Sequence, residues 1–249
     1  MEPPPPFVLL VLLAGGFVSC LKPASEYFRI CHRSDPGLAM CIKNSIETLR
    51  PSLVKGIPEL KLVPLDPLFV PKLEMQDGQG NFKFHQTLTN LYIYGLRNFE
   101  IQNLTVDLDK NVMSMTCFTK TIDFEGDYEM AGKMLLLNLK GKGRATLNFT
   151  DVTTTAFIQN EDFQKNGLDF TRVKSIKWII EPEHAKFHFT NLFNGDKTLG
   201  DATNRFLNEN WKEAFRVYRN LPEEAFGTLI KDLANKVYTL FPRNELYPE

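Results

Sequence analysis

Nothing in this sequence has the form of a reactive centre. It contains no G-x-S-x-G, no H-E-x-x-H, no phosphate-binding P-loop and no C-x-x-C. Those patterns set up a nucleophile, a catalytic zinc, a phosphate cradle or a redox pair. Histidine is scarce: His32, His85, His184 and His188 are the whole set. The last two fall in an alternating stretch, and four positions along a strand put them about 13 Å apart, too far to share a metal. An excess of one charge is lacking too, with 29 Lys and Arg against 30 Asp and Glu. That balance argues against nucleic acid or an anionic membrane as a bulk partner. No run beyond the first twenty residues reaches the ~18 apolar residues of a membrane span, so stable membrane insertion is not expected. Neither a low-complexity linker nor an internal repeat divides the chain. Residues 21–249 therefore read as a single domain with no catalytic residue, metal or cofactor.

Residues 1–20 read as a secretory signal peptide. Residues 7–18 form an apolar run too short for a comfortable span, and Val18 and Cys20 suit a cut before Leu21,. Glu2 and four prolines stand where basic residues are usual. Removing the leader removes Glu2, which leaves 29 acidic residues against 29 basic ones and a neutral mature chain. Cysteine is sparse as well, four in all. Cys20 leaves with the leader. Cys31 and Cys41 are the natural pair in an oxidising compartment, closing a loop worth ~2.5–3 kcal/mol; the alternative is two unpaired core thiols. Cys117 is then a lone buried thiol. Once secretion is accepted, the sequons at Asn103 and Asn148 become candidate glycosylation sites,.

What is present is apolar periodicity. Asp35 and Pro36 read as the cap and first residue of a helix with the stripe Leu38, Ile42, Ile46, Leu49 and Leu53, closed by Gly56 and Pro58,. The proline-punctuated VPLDPLFVPKLEM that follows can be neither helix nor central strand, so an edge or covering strand is expected,. From residue 82 onward apolar positions alternate. Phe82, Phe84, Leu88, Tyr92 and Tyr94 share one parity, as do Met113, Met115 and Cys117, then Ala145, Leu147 and Phe149. Ile176, Trp178 and Ile180 follow, then Ala185, Phe187 and Phe189. Turn signals between these runs predict an antiparallel meander with one apolar face, bent at Gly126, Gly132, Gly141 and Gly143. After Asn194-Gly195-Asp196 the spacing changes to three and four. Leu199, Phe206, Leu207, Trp211, Phe215 and Tyr218 predict one long amphipathic helix, which Pro222 interrupts before a second carrying Phe226, Leu229 and Leu233,. A long apolar helix attached to a one-faced sheet implies an α+β fold: a strongly curved antiparallel sheet wrapped around a C-terminal helix.

Several segments together resemble the insect haemolymph juvenile-hormone-binding protein and takeout family. They are Cys31 and Cys41 with the helix after them, GIPEL followed by LDPLFVPKLEM, FEGDYEMAGKMLLLNLKGKGRATLNFTDV, and LFNGDKTLGDATNRFLNENWKEAF. The resemblance covers essentially the whole mature chain. It implies a curved sheet around a long helix enclosing an elongated apolar tunnel, in a protein of haemolymph or a similar fluid. A single N-terminal disulfide is more like the takeout branch, since Cys117 has no partner for a second bridge.

The leading reading is a secreted carrier that sequesters and transports a small apolar ligand: a juvenile-hormone-like terpenoid, a fatty acid or another lipid. It would be a monomer, with any receptor unidentified. A second reading is a secreted docking or signalling module whose tunnel is vestigial; a lipid-ester hydrolase is disfavoured by the missing nucleophile motif. The resemblance makes Tyr128, in the family's Tyr-x-x-x-Gly strand, the candidate polar anchor; a plain rim tyrosine is the other reading. Candidate lining residues are Met113, Met115, Trp178 and Phe187 on strands and Phe206, Trp211 and Phe215 on the helix, each also readable as core packing.

Overall fold

Three consecutive strands of exceptional length dominate the computed structural model, which describes residues 21–76, 84–134 and 137–249. The expected leader and Phe82 lie outside the described residues. β4 (Val112–Met134), β5 (Leu137–Lys165) and β6 (Leu168–Phe189) are 23, 29 and 22 residues long. With β1 (Leu68–Gln76), β2 (Phe84–Tyr94) and β3 (Glu100–Asp107) they form one antiparallel sheet in the order β1-β2-β4-β5-β6. β3 joins β4 on the same side as β2, so β2 and β3 line successive halves of one long edge. Between them, buried Asp66 accepts from the backbone N–H groups of Gly95 and Arg97 and from Arg97 Nε, at 2.9–3.1 Å, and pins the interruption. β1 carries Pro71 and is an edge strand, as its prolines require,.

Strands this long twist and coil, and the curled sheet buries its concave face. The alternation that predicted them does not hold along their whole length. A bulge between Thr89 and Tyr92, centred on Asn90 with φ of 49°, moves Leu91 and Ile93 inward and turns Tyr92 and Tyr94 outward, against expectation,. On β6, Trp178 and Ile180 face the same cavity as Phe187 and Phe189 although their parity is opposite. The buried parity of β5 changes at Asp151, whose φ is 52°, and that of β4 changes beside Lys120, which pairs with Asp151 at 2.5 Å.

α1 (Leu38–Lys55) starts later than expected, because the Asp35 carboxylate accepts from Gly37 N and closes a turn before the helix. The C-terminal helix is broken more than expected. It comprises α2 (Lys197–Glu209), α3 (Trp211–Tyr218), α4 (Asn220–Tyr238) and the short α5 (Arg243–Leu246). Asn210, at φ −113° and ψ 24°, parts α2 from α3. Pro222 breaks nothing: it sits third in α4, where no helical N–H bond is lost,. Leu199 is half exposed and not part of the buried stripe.

α4 touches both β6 and β1, the opposite edges of the sheet, so the sheet does curl around it. Outward-facing backbone groups of β6 are met by polar side chains of the helices. Asn204 accepts from Phe189 N and donates to Phe189 O, both at 2.9 Å, and Asn208 does the same for Phe187 at 2.9 and 2.8 Å. Asn235 serves Val173 in the same way. Four residues of helix advance ~6 Å and two residues of strand ~6.6 Å, so the two asparagines on α2 match the free edge of β6.

Candidate functional site

The concave face and the helices leave a cavity of about 130 Å³ between them. Phe124 of β4, Leu147 and Phe149 of β5, and Trp178 and Phe187 of β6 form its sheet side. Leu207 of α2, Phe215 of α3 and Phe226 of α4 close it. The rings interlock across it: Phe149 meets Phe187 and Phe215 edge-on at 5.9 Å, and Phe226 meets Trp178 at 5.5 Å,. Two of the polar groups in the wall are committed elsewhere. Tyr218 donates to the Lys133 carbonyl at 3.2 Å, and the Arg219 guanidinium lies 2.9 Å from Glu223 and 3.7 Å from Glu181. Such a cavity can bury an apolar molecule; among the described residues its wall holds no serine, cysteine, histidine or acidic side chain.

Of the residues expected to line a ligand site, Trp178, Phe187 and Phe215 are brought together in this wall. Trp211 is half-buried behind it, T-shaped to Phe215 at 6.4 Å, and Phe206 is half-buried one position before the wall residue Leu207. Met113 and Met115 belong to a separate apolar cluster with Cys31, Cys41, Ile42 and Ile101, under α1. The parity change near Lys120 divides that cluster from the cavity.

Tyr128 is buried, at 2% exposure, and stands outside the wall of this cavity. Its ring stands edge-on to Phe189 at 5.1 Å and its hydroxyl donates to the Thr190 carbonyl at 2.6 Å. Burial pushes the phenol up to about 12, so it stays protonated,. The Gly-x-Gly turn explains itself here. A Cβ on Gly141 would stand 2.6 Å from Tyr128 Oη, and one on Gly143 would stand 2.6 Å from the Thr190 carbonyl oxygen. These glycines permit close approach of the segment after β6, not only the bending expected of them.

Sequence reasoning did not single out Phe124, Phe149 or Phe226, although Phe149 and Phe226 lay on apolar stripes; periodicity marks a buried face without separating wall from packed core. It also passed over Gln86, whose parity with Phe84 and Leu88 was the available signal. Cys31 and Cys41 are bonded, and Cys117 is a free buried thiol that burial pushes up to about 11. Asn103 is exposed on β3, whereas Asn148 is half-buried and donates to Asp123 at 2.6 Å. No helix of the described residues is long and apolar enough to cross a membrane.

Comparison with known proteins agrees with this architecture. Takeout 1 of Epiphyas postvittana superposes with a TM-score of 0.73 at 24% identity, over 88% of this chain and 99% of that one; at this identity the likeness speaks for the fold. The circadian clock-controlled protein daywake of Drosophila melanogaster is 26% identical over 92% of this chain and 94% of its own. The Drosophila yakuba protein of the same name is 23% identical over 83% of each. Residues 8–248 match the family described as haemolymph juvenile hormone binding protein, and the chain belongs to that family.

Proposed function

We propose that this protein is a secreted carrier that sequesters and transports a small apolar molecule, such as a terpenoid, a fatty acid or another lipid, between its curled sheet and its C-terminal helices. The observation that carries this reading is the aromatic-walled cavity at that interface. Membership of a family named for binding supports it. The Cys31–Cys41 bond favours an oxidising, extracellular compartment such as haemolymph,.

Magnitudes allow the reading and add a condition. Burying fifteen or so carbons gains on the order of 12 kcal/mol at ~0.8 per methylene. Association costs at least ~4 kcal/mol, which leaves roughly micromolar affinity. A cavity of about 130 Å³, however, is close to the ~150 Å³ of an engineered void that takes up benzene,. A longer ligand would need this cavity to widen, and the energy of widening it subtracts from affinity. α3 is the element suited to move: Ala214 is its one fully buried residue, and Asn210 and Arg219 bound it. Mass spectrometry of an organic extract of the natively secreted protein tests the reading. Co-purified lipid near one molecule per chain is the expected result. A protein that is empty and also ignores apolar probes would overturn the carrier reading in favour of a docking module.

A further inference from the structure

Gln86 is the unexplained residue of the cavity. It lies on β2 opposite Met75 of β1 and Met130 of β4, with Phe84 and Leu88 on either side along its own strand. It is 92% buried in this apolar setting, since 8% of its surface is exposed, and it forms part of the cavity wall. Its amide has no hydrogen-bond partner among the described residues and keeps a little accessible surface. A primary amide carries two donors and an acceptor with two lone pairs, and a ligand that covered it without pairing to it would lose ~1–3 kcal/mol. A ligand that fills the cavity closes off that surface, so a ligand that supplies the amide a partner is favoured over one that does not,.

The rest of the wall limits what that partner is. Arg219 is the one charged residue in the described wall, and Glu223 and Glu181 together already more than neutralise it. An ionised carboxylate entering the cavity would lose its hydration and meet no uncommitted cation in that wall, which is costly. A hydroxyl, ester or ketone oxygen would accept from, or donate to, the Gln86 amide at no such cost.

We infer that Gln86 is the polar contact of the bound molecule, and that the cavity selects neutral lipids bearing a hydrogen-bonding oxygen over ionised fatty acids. This inference rests on the carrier reading and narrows its ligand class. The test uses the full-length secreted protein and displacement of diphenylhexatriene, a fluorescent hydrocarbon with no polar atom. At pH 8 wild-type protein should release the probe to dodecanol at roughly tenfold lower concentration than to dodecanoate. Gln86→Leu should still take up the hydrocarbon probe, showing that the cavity is intact, while its affinity for dodecanol falls by roughly tenfold. Probe uptake without that fall, or a wild-type preference for dodecanoate, overturns the inference and leaves the carrier reading standing. If the leucine variant fails to fold, the wild-type ranking still decides the ligand class, and Gln86→Met decides the role of the amide by the same measurement. Failure of wild-type protein to take up the probe, dodecanol or dodecanoate overturns the carrier reading, and the role of Gln86 with it.

Discussion

Tyr128 shows how one side chain ties the sheet to the segment that launches the helices. Its phenol proton is held on the Thr190 carbonyl and lifted from 10.0 to about 12 by burial. The native state therefore binds this proton more tightly than the unfolded chain. Its stabilising contribution is complete below pH 10 and is lost as pH rises through about 12. Tyr238, Tyr247 and Cys117 are shifted upward by burial as well and act in the same direction. Tyr128→Phe should cost ~1–3 kcal/mol at neutral pH, because the Thr190 carbonyl loses its donor. It should also make the alkaline decline shallower; urea melts of both proteins between pH 8 and 11.5 check this, and parallel curves would count against it. Asn103 and Asn148 differ at the same scale. Asn103 projects from β3 into solvent, whereas the Asn148 amide is engaged by Asp123, so glycopeptide mapping of secreted protein should find glycan at Asn103 and none at Asn148. The sequons alone did not distinguish them, because the Asp123–Asn148 bond joins strands 25 positions apart.

At the scale of elements, β6 would be an open edge, the kind of strand that invites pairing with another chain. Asn204 and Asn208 close it by supplying both a donor and an acceptor to Phe189 and Phe187. Asn204→Ala should leave a buried N–H and C=O unpaired at Phe189 and cost ~1–3 kcal/mol for each group. A urea melt within ~0.5 kcal/mol of wild type would show that the amide ladder contributes little. The strands, the edge position of β1 and the amphipathic helices were legible in the sequence, because period and proline chemistry are local properties. The inward face of Leu91 and Ile93 was not legible, since a bulge with no glycine at its centre shifts the parity without changing the composition. The break at Asn210 was equally hidden. Asparagines on the border of a helical stripe resemble a solvated face until the strand they serve is known.

At the scale of the molecule, burial among the described residues is divided among three clusters: one at the concave face, one around the disulfide and α1, and one where Phe28 and Leu60 meet Phe241 and Leu246. This division explains why only part of the cavity wall was legible. Met113 and Met115 look like Trp178 and Phe187 in sequence, yet a change of strand parity sends them to a different cluster. It also separates stability from binding. Cys31–Cys41 lies in the second cluster, away from the cavity, so Cys31→Ala/Cys41→Ala should lower stability by ~2.5–3 kcal/mol,. Apolar-probe affinity below the melting range should remain within about twofold of wild type, a change of ~0.4 kcal/mol. Titration with diphenylhexatriene would reveal any larger loss.

In the proposed complex, an apolar ligand lies against the aromatic wall beneath α3. In Trp211→Phe protein, Trp178 is the sole remaining tryptophan, and it lines the cavity. Titration with a terminally brominated dodecanol, which quenches only at contact range, should extinguish Trp178 emission in a saturable, one-site manner, and plain dodecanol should reverse the quenching. Trp178 emission that stays unchanged while the brominated alcohol binds would place the ligand elsewhere and contradict the account.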